Sequence, residues 1–133
     1  MTGARVPAAP AFEVRLPDLG TPGEVTVLEV LVKEAIVNFG EARQAFVAFV
    51  ETHWDHAQLA EVPRLLTEVS GALRILNLLE PGDYLIAIRQ FTDNELLQRR
   101  QVPNGQQMDR LADALASIEY YLEALRDRRP NRE

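Results

Sequence analysis

The side chains whose types and spacing could do chemistry fall on one line: Thr67, Ser70, Gly71 and Arg74, inside the run LLTEVSGALRILNLL at 65–79. Three- and four-residue spacing stacks them along one stripe of a helix, turned by about 100° from the apolar stripe and so at its edge. The apolar stripe is Leu66, Val69, Leu73 and Leu76. A hydroxyl is a nucleophile when a base takes its proton, and a guanidinium anchors anions. No His, Asp or Lys stands three or four residues from Thr67 to serve as that base, and the adjacent Glu68 points elsewhere. Gly71 costs a helix roughly 1 kcal/mol against alanine, so it calls for a reason. Clearance is one: with no Cβ a turn after Thr67, another surface can approach the threonine closely. The plainer reading has Gly71 as a tolerated small residue against a neighbouring helix, Thr67 bonding the carbonyl one turn back, and Ser70 and Arg74 as solvated surface.

Other chemistries find less support. His53 and His56 have the spacing of a metal pair, but no suitable third ligand stands beside them, and they are expected to be surface or loop histidines. Cysteine is absent, which excludes disulfides, thiolate zinc sites and thiol catalysis. There is no Glu-x-x-His pair for a di-iron centre, no phosphate-binding glycine loop and no nucleophile elbow. No cofactor and no metal are therefore expected.

A chain of 133 residues makes one domain with a single core, and its apolar content of 47% is ordinary for a folded protein. The formal net charge of -6 argues against general nucleic-acid binding. Neither a signal peptide nor a membrane span can be read from the apolar pattern, so a cytoplasmic protein without membrane insertion is expected.

The elements that must position the stripe are helices. Residues 1–20 contain Pro7, Pro10 and Pro17 and read as a flexible lead-in, with Phe12, Val14 and Leu16 able to lie extended against the body. Thr21, Pro22 and Glu24 form a capping box opening a first helix, whose stripe runs Leu28, Val32, Ala35, Phe39, Ala42, Phe46 and Phe49. His53 to His56 make a turn, in which Asp55 could cap a new helix with Gln58 completing a box. Pro63 then either opens the main helix after a short separate turn or kinks a continuous one. Glu80, Pro81, Gly82 and Asp83 punctuate the next boundary, and Leu85, Ile88 and Phe91 continue beyond it. After the turn at Pro103, Asn104 and Gly105, the residues Met108, Leu111, Leu115, Ile118, Leu122 and Leu125 alternate four and three apart. The spacing predicts helices over 22–50, 57–79, 82–100 and 106–127. This is an all-α, antiparallel up-down four-helix bundle over 21–127, with 128–133 as a linker stump of a longer chain.

The run TEVSGALRILNL, Thr67 to Leu78, resembles the His-x-x-Lys-Gly signature and following helix of histidine phosphotransfer domains. It is most similar to the phosphotransfer-like modules of the large chemosensory kinases that govern type IV pili and twitching motility, and of related pilus regulators. The stretch LADALASIEYYLEAL, Leu111 to Leu125, resembles a recurrent segment of those proteins. The resemblance implies a phosphotransfer-like bundle in which Thr67 stands at the phosphorylated histidine, Ser70 at the usual lysine and Gly71 at the following glycine. A threonine hydroxyl needs an activating base and gives a stable ester, and loss of the lysine removes a cation that would steady a phosphoryl group. Some modules of the pilus kinases likewise carry threonine or serine in place of the histidine. The expected role is accordingly a noncatalytic module, recruited to a polar pilus complex, that binds or spaces partners, a receiver or signalling scaffold domain, through Thr67, Ser70, Gly71 and Arg74, with no phosphate carried on Thr67. Two alternatives stand beside it: a phosphotransfer module accepting phosphate on Thr67, and an unrelated helical adaptor.

Overall fold

The computed structural model describes residues 22–100 and 102–127. The lead-in over 1–20, the Thr21 and Glu24 capping box and the stump over 128–133 lie outside the residues whose side chains are described. Among the described residues every regular element is helical: α1 (Pro22–Glu51), a 3-10 turn (His56–Leu59), α2 (Val62–Ile75), α3 (Leu79–Phe91), a π-helical turn (Thr92–Gln98) and α4 (Gly105–Asp127).

The helix ends differ from those the periodicity suggests, because local backbone chemistry overrides the apolar pattern. Asn77 adopts a left-handed φ of 63°. Its N–H bonds the Arg74 carbonyl at 2.9 Å and the Leu78 N–H bonds the Leu73 carbonyl at 2.8 Å, a Schellman closure that stops α2 at Ile75. The same device ends α1: His53, at φ 59°, and Trp54 close onto Val50 and Phe49, and the Trp54 ring meets Phe49 edge-on at 5.3 Å. Pro63 sits in the first turn of α2, where its missing N–H costs nothing, and the separate 3-10 turn precedes it. Asp55 caps that turn through Ala57 N–H at 3.1 Å, with Gln58 bonding the same carboxylate at 3.2 Å. Pro81 and Gly82 fall inside the opening of α3 rather than before it. Asn104 and Gln107 form a reciprocal capping box on α4, with bonds of 2.8 and 3.0 Å.

The expected apolar stripes converge on one core. Leu28 to Phe49 of α1, Leu66, Val69 and Leu73 of α2, Leu85, Ile88 and Phe91 of α3, and Leu111, Leu115, Ile118, Leu122 and Leu125 of α4 are all buried in it. Met108 is only partly buried. Beyond Phe91 the helix widens: Arg99 N–H bonds the Asn94 carbonyl at 3.1 Å, five residues back. The wider turn carries Leu96, five residues after Phe91, fully into the core and leaves Glu95 at its rim.

Helix α1 packs along α2 and α4, and α2 packs along α3. Two buried tyrosines feel charges across α3 and α4. Burial first, and Glu80 of α3 second, push the Tyr121 phenol up to about 12. Burial and then Asp113 of α4 raise Tyr84. Among the described residues no helix is long and apolar enough to cross a membrane.

Candidate functional site

The site is built on the seam between α2 and α3. Because α2 opens at Pro63, the carbonyl of that residue lies one turn before Thr67, and Thr67 Oγ1 donates to it at 2.8 Å. The threonine hydroxyl remains exposed and accepts a second bond, from Arg89 Nη1 of α3 at 3.2 Å. Three turns of α2 thus present Arg64, Thr67, Gly71 and Arg74 along one outward line, with Arg89 leaning in from the neighbouring helix.

Ser70 does not share that line. Expected at the edge of α2, it is 1% exposed, and its Oγ donates to the Gly82 carbonyl at 2.9 Å. Helices α2 and α3 come close here, yet a Cβ added at Gly82 would stand 3.4 Å from Arg74 Cγ and 3.5 Å from Ser70 Oγ, ordinary contact with room for a methyl group. The pattern could not show this, since the partner carbonyl is supplied by another helix. Ser70 joins two helices and offers no group to solvent.

Gly71 behaves differently. A Cβ added there meets nothing within 4 Å, so no neighbouring helix of this chain requires the glycine. Arg74 is exposed but engaged, paired with Asp83 of α3. Arg64 bridges Glu61 at 2.8 Å and Glu68 at 3.0 Å, and these two hydrogen bonds, Glu61 first, hold its guanidinium above the ordinary value. Glu68 is therefore turned toward Arg64, in agreement with its expected direction away from Thr67.

Chemically, the arrangement holds the Thr67 proton on a carbonyl rather than on a base, while a guanidinium faces the oxygen. Sequence reasoning missed Arg89. The signal available was its place beside Ile88 on the flank of the α3 stripe, but nothing local states which helix that flank meets.

The histidines stand apart from the site. His53 is exposed in the left-handed turn, whereas His56 is buried, not at the surface, with its ring edge-on to Phe49 at 5.0 Å. No group of three metal-ligating side chains occurs among the described residues.

Comparisons with known proteins agree on one assignment. The chain is 33% identical over 94 residues to scaffold protein FimL of Pseudomonas aeruginosa, an alignment that covers 71% of this chain and 17% of that protein. The chain thus spans about a sixth of its relative's length. No solved structure matches it. The FimL C-terminal domain family matches residues 24–133, which takes in the helices described above from the third residue of α1 onward, and the chain belongs to the FimL C-terminal domain family.

Proposed function

We propose that residues 21–127 form a phosphotransfer-like, antiparallel up-down four-helix bundle that acts without catalysis, binding or spacing receiver or scaffold domains of a type IV pilus chemosensory system in the cytoplasm. The observation that carries this reading is the state of the Thr67 hydroxyl, whose proton goes to the Pro63 carbonyl at 2.8 Å while the neighbouring carboxylate of Glu68 is held by Arg64. General-base activation needs an acceptor within hydrogen-bond reach of that proton, and this acceptor is a peptide carbonyl. The scaffold role named for the Pseudomonas aeruginosa relative supports the same reading. So do the pairings Arg74 with Asp83 and Thr67 with Arg89, whose reversed order sets α2 and α3 antiparallel.

The test is phosphate transfer. Incubation of the chain with a phosphorylated receiver, and separately with the cognate kinase and ATP, is expected to leave it unlabelled. Acid-stable label that maps to Thr67 and disappears in Thr67→Ala overturns the reading.

One observation favours the alternative in which Thr67 accepts phosphate: Arg89 lies 3.2 Å from the hydroxyl oxygen, where it could take over the charge-steadying role of the missing lysine. In that case Arg89→Gln abolishes whatever label Thr67 receives.

A further inference from the structure

Helices α1 and α4 leave a groove of about 460 Å³ between the first half of α1 and the end of α4, on a different seam from the one that carries Thr67. Its wall is apolar. Leu28, Val32 and Ile36 stand one helical turn apart along α1, joined by Val37 and by Leu125 of α4. Leu28, Val32 and Leu125 are buried and form a floor, whereas Val37 is 54% exposed. Glu29, Lys33 and Arg126 also line the groove, and Arg126 is paired with Asp127 at 3.2 Å. The run FEVRL at 12–16, which lies outside the described residues, alternates apolar and charged side chains. In an extended chain Phe12, Val14 and Leu16 share one face and Glu13 and Arg15 the other, so the apolar face can be covered without burying a charge.

We propose that residues 12–16 of the same chain fill this groove, extended and antiparallel to α1, with Leu16 beside Leu28, Val14 beside Val32, and Phe12 beside Ile36 and Val37. Length decides the occupant. From Leu28 to Val37 the helix rises about 14 Å, and an extended chain from residue 12 to residue 16 spans about 13 Å. The steps match as well, since two extended residues rise about 6.6 Å and one set of four helical residues about 6 Å. The link also reaches. Six residues separate Leu16 from Pro22, enough for up to about 20 Å, while Leu28 lies only about 9 Å along α1 from Pro22. The surplus allows the chain to reverse, and Pro17, Asp18 and Gly20 are residues that make such turns. Leu16 stands before a proline, which disfavours helix there and favours the extended form the groove requires. A segment held by so short a link meets its site at an effective concentration on the order of millimolar, an advantage that a second copy of the chain lacks.

The test is NMR on the isotopically labelled chain of 133 residues. Nuclear Overhauser contacts are expected from the Phe12 ring to the methyl groups of Ile36 and Val37, and from the Leu16 methyls to those of Leu28. Val37→Glu, a change at an exposed position that puts a charge on the wall, should remove the contacts between Phe12 and Ile36 and keep the helicity. Phe12→Ser, Val14→Ser and Leu16→Ser combined should shift the amides of Val32, Ile36, Val37 and Arg126 and leave those of Thr67 and Arg89 in place, because the change uncovers one seam only. A Phe12 ring without contacts to α1 overturns the inference. So do contacts that persist unchanged in Val37→Glu, and a combined serine variant whose groove amides match the parent's. Contacts seen only between differently labelled chains in a mixed sample assign the groove to a second copy and overturn it too.

Discussion

At the scale of single residues, the α2 stripe divides by what each side chain meets. Ser70 and Gly71 are neighbours in sequence, yet one is locked against Gly82 of α3 and the other faces open space. The two reasons offered for Gly71 therefore make opposite predictions. If the glycine served packing within the chain, Gly71→Ala would create a clash. Since the added Cβ meets nothing, the substitution should instead stabilise the fold by up to about 1 kcal/mol through helix propensity. A rise in the urea midpoint checks this, and a fall contradicts it. Gly71→Lys should then leave stability little changed while weakening association with receiver or scaffold partners, measured by titration of both forms side by side.

At the scale of elements, helix ends are set by caps more than by the apolar period. The stripe through Leu76 continues toward Leu79, but Asn77 in the left-handed region closes α2 and lets the chain turn back as α3. That turn brings Asp83 and Arg89 to the α2 line. Asn77→Gly should retain or slightly raise stability, because glycine takes this backbone conformation without a steric cost. Asn77→Val should lower stability by about 1 kcal/mol or more, a β-branched side chain being strained there. Chemical denaturation of the two variants in parallel tests the assignment; equal midpoints would remove the strain argument.

At the scale of the whole molecule, one core joins all four helices. Leu73 is fully buried and Leu115 nearly so, and replacing either by alanine should cost on the order of 2–5 kcal/mol. A Leu115→Ala variant as stable as the parent would contradict its place in the core. Burial of Tyr121 in this core carries its own pH signature. Tyr121 is pushed up to about 12 from an ordinary value of 10.0, so the folded state holds the phenolic proton more tightly than the unfolded chain does. Stability from this group is complete below pH 10 and is lost as pH rises toward about 12. Tyr121→Phe should flatten that alkaline loss, read from thermal midpoints across the range.

Much of the architecture was legible in the sequence because burial repeats at helical spacing. The α1 run from Leu28 to Phe49 and the α4 run from Leu111 to Leu125 both enter the core as their periods require. Pro63 and Asp55 also marked true boundaries, since proline and a capping carboxylate act through the backbone next to them. What the sequence by itself determined is thus helix type, core face and the outward place of Thr67. Only the tertiary structure decided that Ser70 is buried, that Arg74 is spent on Asp83 and that Arg89, in another helix, stands over Thr67. The physical reason is range: periodicity and capping act within about a turn, whereas the charge and hydrogen-bond partners of this site are supplied across a helix seam, whose pairing depends on how two faces pack.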